Sequence, residues 1–389
     1  MAEIAREARK YVAEGRSPVT RGIDPAVAVP AQALAPRANP DLVGHESAER
    51  ELRHLDQAGR LPHAILLSGP RGIGKATLAF RLARFLFAKS AGGSADLFGG
   101  PVDSGLATDP ESGVFHRVAS GGHADLLTVE RAYDPRRRRL RSEIVVEDTR
   151  EIAAFFRLTA AEEGWRVVVV DGAEEMNRNA ANALLKILEE PPRGALLLLV
   201  SHTPGRLLPT IRSRCRRFPL AALTRPAVMR LLGHYRSEVP KGEAEALAEL
   251  ADGSIGRAIE LADAGGLALY ASVLDMLSQI PRIDVPRLHT FADSLARPAA
   301  DDAYRVSKEL LLQFLTRMVA RTARRQLGEA DLVAGEGEVM QHLTNRADPT
   351  RWAALREDIE RNFASADQLN LDRKQTVLSA FFAVEEVAR

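Results

Sequence analysis

The stretch Gly69-Pro-Arg-Gly-Ile-Gly-Lys75 has the residue types of a phosphate cradle. Glycines let consecutive backbone N–H groups turn inward onto phosphate oxygens, and a lysine at the end of the loop reaches the β and γ groups. Such a loop ordinarily continues with a Ser or Thr whose hydroxyl holds Mg²⁺. Here the next residue is Ala76. Thr77 follows it, but one step along a helix turns a side chain by about 100°, so its hydroxyl is expected to face elsewhere. Gly69, Gly72, Gly74, Lys75 and, as the only nearby hydroxyl, Thr77 are therefore the candidate nucleotide-binding residues, with phosphate shape kept and metal chemistry weakened.

A second candidate is Asp171, which ends the apolar run Arg166-Val-Val-Val-Val. A phosphate-loop protein places at such a strand end the carboxylate that holds Mg²⁺ through water. ATP-hydrolysing members usually follow it at once with a glutamate that orients the attacking water, but the next residue is Gly172, and Glu174 and Glu175 come later. In the competing reading Asp171 merely caps the strand. Ala76 and Gly172 together argue for a degenerate ATPase, because phosphoryl transfer depends almost wholly on metal placement and water positioning. Cys215 reads as a small apolar residue, and the nine histidines show no metal spacing.

These residues need a scaffold, and the pattern around them supplies one. Ala64–Ser68 reads as the strand entering the loop and residues 75–89 as the helix leaving it. Strands are expected at 125–130, 166–171 and 195–200, and helices at 148–163 and 180–190, the last stopped by Pro191. Unbroken apolar strands of this kind imply a parallel sheet covered by helices on both faces. Residues 90–122, rich in Gly, Ser and Asp, read as a long surface loop. Arg136-Arg-Arg-Arg-Leu-Arg141 reads as a solvated hairpin tip, with phosphate contact as the alternative. Beyond Pro219 only helices are expected, including 224–235, 243–251, 303–326, 350–362 and 371–387. The resulting division is a flexible extension over 1–39, an α/β domain over 40–220, a helical lid over 221–266 and an all-α C-terminal domain over 267–389.

Composition narrows the function classes. A 389-residue chain with 46% hydrophobic and 27% charged residues is long enough for two or three domains. A net charge of +1 does not mark it as a general polyanion binder. One cysteine excludes an internal disulfide, and no run approaches 18 apolar residues, which together suggest a cytoplasmic protein.

The helix Asn179-Ala-Ala-Asn-Ala-Leu-Leu-Lys-Ile-Leu-Glu-Glu-Pro-Pro192, taken with Pro209-Thr-Ile-Arg-Ser-Arg-Cys215, resembles the bacterial clamp-loader subunits of DNA polymerase III. The resemblance is strong from about Asp41 to Pro219, continues to Gly253-Ser-Ile-Gly-Arg257 and is weaker beyond. It implies an AAA+ P-loop NTPase-like domain, a lid and a C-terminal collar. Within the family, Ala76, Gly172 and the lack of zinc-binding cysteines depart from the gamma/tau motor. Arg60-Leu-Pro-His-Ala64, His123-Ala-Asp-Leu-Leu127 and Asn370-Leu-Asp-Arg373 favour the delta-prime stator. No zinc is expected, since residues 90–122, where many relatives carry a zinc module, lack its cysteines.

By that resemblance Arg214 is an arginine finger acting on a neighbouring subunit's ATP, and Arg257 is a lid arginine that contacts nucleotide or bridges lid and core. His202 and Thr203 occupy the place of a γ-phosphate sensor in relatives, with a plain loop as the competing reading. Strand alternation would put Arg212, Arg214 and Arg216 on one face, so periodicity does not single out Arg214, and a solvated basic strand end is the competing reading. The implied partners are the gamma/tau motor, the delta subunit, the sliding clamp and primed DNA, within a DNA polymerase holoenzyme. The implied cofactor is ATP or ADP, bound weakly or without hydrolysis. Collar contacts are expected on an apolar face carrying Leu310, Leu311, Phe314 and Leu315, which could instead form a free-standing core. Two other readings stay open: a working ATPase using Thr77 and Glu174, and a nucleotide-locked structural domain outside replication.

Overall fold

The computed structural model describes residues 35–90, 105–134, 139–158, 164–324 and 331–389. The expected extension over 1–39 therefore lies almost wholly outside the described residues, as do Arg136 to Arg138. The chain divides into two compact units, Met1–Ala227 and Val228–Arg389.

Five parallel strands form the sheet of the first unit: β1 (Ala64–Ser68), β2 (Leu126–Val129), β5 (Arg166–Asp171), β6 (Ala195–Ser201) and β7 (Arg216–Pro219). Their order is β2-β5-β6-β1-β7, which puts β1 between a strand laid down just before β7 and β7 itself. The register is fixed on both sides, with Ile65 opposite Leu198 and Arg216. Every residue of β1 and β6 is buried, as a sheet with helices on both faces requires. A separate antiparallel pair, β3 (Tyr133–Asp134) with β4 (Arg139–Leu140), flanks the arginine run, as a hairpin requires.

The helices of this unit are α1 (Glu46–Gln57), α2 (Lys75–Ser90), α3 (Gly113–Ala119), α4 (Val146–Arg157), α5 (Arg178–Glu189) and α6 (Pro209–Arg212). Asn177 caps α5 by accepting from the Ala180 amide, and Ala180, Ala181, Leu184 and Leu188 form its buried face. Two arginines of α2 hold the chain entering the domain. Arg84, 1% exposed, donates to the carbonyls of Arg37 and Asn39 at 2.9 and 2.8 Å and lies over the Phe115 ring. Arg81 donates to the Pro40 carbonyl and pairs with Glu49 at 2.5 Å.

The surface-loop expectation for residues 90–122 is corrected in its second half. Ser112 caps α3, whose Val114, Phe115 and Val118 are buried, and Leu106 is buried as well. Three apolar side chains on one short helix cover more surface than a solvated loop would leave exposed. The helix expected to reach 163 ends at Arg157, because Leu158 turns to extended backbone.

In the second unit α7 (Arg225–Tyr235, which begins in the first), α8 (Lys241–Leu250), α9 (Ile255–Asp263), α10 (Gly266–Ser278), α11 (Val285–Leu295), α12 (Asp301–Arg324), α13 (Glu336–Thr344), α14 (Pro349–Leu369) and α15 (Arg373–Ala388) follow in order. Helix α12 packs on α10 and α14, and α15 packs on α11 and α14. Leu310, Leu311, Phe314 and Leu315 are all buried here. That corrects their assignment to an oligomerisation face: the chain's own helices already cover them, and the free-standing core is what forms. The hydroxyl of buried Tyr270 donates to Glu336 at 2.6 Å, whose other oxygen accepts from the Leu332 amide. No single helix among the described residues is long and apolar enough to cross a membrane.

Candidate functional site

The loop joining β1 to α2 sits beside the point where the sheet order turns back, the usual place for a ligand in an open parallel sheet. Its glycines are required by its shape. Gly69, Gly72 and Gly74 have φ of 148°, 74° and 101°, a region L-residues rarely adopt. A Cβ on Gly69 would come within 2.2 Å of the Leu220 carbonyl oxygen. The loop is also braced from outside the motif: buried His45 donates from Nε2 to the Ile73 carbonyl at 2.7 Å. Nothing in the residue type of His45 announced that contact.

Lys75 turns into this loop. Its ammonium donates to the Gly69 carbonyl at 2.8 Å and to the Pro70 carbonyl, two of its three donors. Burial lowers its pKa to about 8, opposed by the charges of Asp171 and Glu174. Ala76 is half-buried and has no hydroxyl, whereas Thr77 is buried.

Asp171 stands at the end of β5, and burial, with Glu130 next in effect, raises its pKa to about 6 against the pull of Lys75. Gly172 follows with φ 77°, and a Cβ there would lie 2.7 Å from Glu175 Oε2. The chain thus turns sharply where a water-orienting glutamate would sit.

Glu174 has another task. Its Oε1 accepts from the backbone amides of His202 and Thr203 at 2.7 and 3.2 Å, tying the turn after β5 to the end of β6. The His202 imidazole is pushed down to about 4 by burial and by the Lys75 charge, so it is neutral at physiological pH. Glu175 pairs with Arg131 at 2.8 Å. Sequence reasoning passed over the bracing role of Glu174 because spacing alone cannot say which backbone amides a side chain meets.

Arg214 belongs to a different part of the unit. After the single turn of α6, the Arg214 amide donates to Ile211 at 3.1 Å, and β7 starts only at Arg216. Arg212, Arg214 and Arg216 therefore do not share a strand face, which corrects the alternation expected from sequence: Arg212 is still helical and Arg214 lies in the turn. Ile211 and Cys215 point into the core, and burial pushes the Cys215 thiol up to about 12, consistent with an inert apolar role. Arg214 itself is exposed. Its Nη2 pairs with Glu189 Oε1 at 2.8 Å and its Nη1 donates to the Thr210 carbonyl at 3.1 Å. Arg216 pairs separately with Glu51.

Arg257 lies in the second unit, near the start of α9. Its Nη2 donates to Gln313 Oε1 at 2.8 Å, and Gln313 in turn donates to the Leu250 carbonyl. The structure thus brings together Gly69, Gly72, Gly74, Lys75 and Asp171, and leaves Arg214 and Arg257 with partners of their own. Among the described residues no group of three His, Cys, Asp or Glu side chains could hold a metal ion.

Comparison with known proteins bears on this loop and on the Arg214 turn together. A family model described as "DNA polymerase III, delta subunit" matches residues 44–224, the span holding both. Residues 44–224 are thus similar to that family. The delta-prime subunit of DNA polymerase III from Pseudomonas aeruginosa is 39% identical over 190 residues, covering 48% of this chain and 51% of that protein. The tau subunit from Escherichia coli is 31% identical over 236 residues, covering 59% of this chain and 33% of that protein. The chain therefore spans about half the length of the delta-prime relative and a third of tau. Among solved structures, a gamma-subunit-related protein from Thermotoga maritima matches at 17% identity with a TM-score of 0.39, covering 89% of this chain and all of that one.

Proposed function

We propose that this chain is a delta-prime-like stator of a DNA polymerase III clamp loader, which helps place the sliding clamp on primed DNA and itself hydrolyses no ATP. Its work is positional: it ends an arc of gamma/tau motor subunits, with delta as a further partner, and supplies Arg214 to the ATP of the adjacent motor. A guanidinium there offsets charge building on the transferring phosphoryl group. The lid and collar division at about residue 266 and a cytoplasmic location are parts of the same reading.

The observation that carries it is the pairing, within a family-matched segment, of a retained cradle with two missing hydrolytic parts. Ala76 offers no hydroxyl to a metal, and Gly172 turns with φ 77° where a glutamate would be needed. The cradle residues fit a nucleotide's phosphates in type: positive φ at Gly69, Gly72 and Gly74 lets successive backbone amides turn toward an anion, and Lys75 would exchange its carbonyl partners for phosphate oxygens. ATP or ADP held there would supply negative charge that orders the loop. The alternative of a working ATPase is disfavoured because Thr77 is buried and Glu174 is committed to two backbone amides.

The test is DNA- and clamp-stimulated ATP hydrolysis by a reconstituted loader carrying Arg214→Ala or Lys75→Ala in this chain. The stator reading expects a large loss with the first and little change with the second. The reverse pattern would make this chain a motor.

A further inference from the structure

We infer that Glu189 is a positioning residue for Arg214: it holds the guanidinium in the turn after α6, ready for a phosphate anion presented by another subunit. The inference deepens the proposed role of Arg214 in trans and rests on it.

Two elements meet at this contact. Helix α5 ends at Glu189 because Pro191 and Pro192 follow, so the Glu189 carboxylate stands at a helix C-terminus. An acid there gains nothing from the helix dipole, which favours cations at that end. A nearby guanidinium relieves this. Arg214 provides it, with Nη2 on Glu189 Oε1 at 2.8 Å and Nη1 on the Thr210 carbonyl at 3.1 Å. Two anchors from different elements fix the plane of the guanidinium, using two of its five N–H donors and leaving three for an anion.

The anchors are also weak enough to serve. The two side chains are 37% and 50% exposed, and exposed ion pairs contribute little to stability. The pair therefore adds little to folding. An arginine loses rotamer freedom when it is fixed, part of which a preset guanidinium need not lose on meeting phosphate. An advantage of up to about 1 kcal/mol corresponds to roughly a five-fold rate effect.

The experiment compares Glu189→Ala, Glu189→Gln and Arg214→Ala in the reconstituted loader, reading kcat and KM for ATP alongside the melting temperature of the free chain. Glu189→Ala is expected to lower kcat about three- to five-fold with KM and melting temperature unchanged. Glu189→Gln, which keeps an acceptor at the same place, should restore most of the loss. If Arg214→Ala abolishes stimulated hydrolysis while Glu189→Ala leaves kcat unchanged, the positioning role is overturned and the finger stands. If Arg214→Ala itself has no effect, the role of Arg214 in trans falls, and this inference with it. A fall in kcat accompanied by a lowered melting temperature for Glu189→Ala also overturns it, since that is a structural effect.

Discussion

Lys75 donates to the carbonyl of Gly69, the first residue of its own loop, across 2.8 Å. A lysine of the type that binds phosphate thus braces its own loop through main-chain carbonyls. That contact gives Lys75 a structural use even if no γ-phosphate is ever cleaved there.

The titration of Lys75 follows from its burial. Its pKa of about 8 lies below the ordinary 10.5, so between those values the folded protein holds fewer protons than the unfolded chain. Stability from this group therefore rises as pH is raised through that window, and the burial penalty is fully present below it. Lys75→Met should remove the rise. Denaturation midpoints of both proteins on either side of pH 8 check this, and a difference between them that stays constant with pH contradicts it.

Asp171 titrates with the opposite sense. Its pKa is raised from 3.8 to about 6, so between these values the folded state binds more protons and stability falls as pH rises. The penalty is complete above pH 6. Asp171→Asn is expected to stabilise the protein at neutral pH, on the order of 3 kcal/mol, since a pKa unit is worth about 1.4 kcal/mol. It should also flatten the decline between pH 4 and 6. Urea unfolding across that range is the measurement, and an asparagine variant less stable than the parent at pH 7 would show that the carboxylate is needed structurally.

Restoring the missing chemical groups should not restore a motor. In Ala76→Thr/Gly172→Glu the glutamate would have to adopt φ 77°, with its Cβ 2.7 Å from Glu175 Oε2. A side chain in that backbone region costs about 1–2 kcal/mol before any clash is relieved. The double variant is expected to melt several degrees lower and to show no ATP hydrolysis from this subunit's own loop in a loader whose motor subunits are inactivated. Hydrolysis above background would mean that Ala76 and Gly172 are the whole of the deficit.

Strongly patterned elements were legible without coordinates. The boundaries of β1 and β5 agree with the expected 64–68 and 166–171, because continuous β-branched and leucine runs bounded by loop residues admit little else. Helix α5 and its buried stripe follow from spacing and the proline stop. Weakly patterned elements were not. Helix α3 is a short turn in a Gly-rich context, and β7 carries two exposed arginines with only Phe218 buried, so neither has a period to read. Within the site, the P-loop lysine and Asp171 were visible by type and position. The braces from His45 and Glu174 were not, since each depends on where a distant backbone group lies in space.

The burial of the 310–315 face sets a last expectation, about what the helices of the second unit present to partners. Phe314 is 0% exposed and packed within α12, whereas Phe382 on α15 is 38% exposed. Removing a buried phenylalanine ring costs about 3–5 kcal/mol through lost transfer energy and a residual cavity. A half-exposed one away from special features costs under about 1 kcal/mol. Phe314→Ala should therefore unfold the free chain's second unit at markedly lower denaturant, with loss of assembly only as a consequence. Phe382→Ala should leave the free chain's midpoint nearly unchanged. If Phe314→Ala kept the free chain's stability and lost only its association with motor subunits, the residue would be an interface group after all, and the core described for α12 would be wrong.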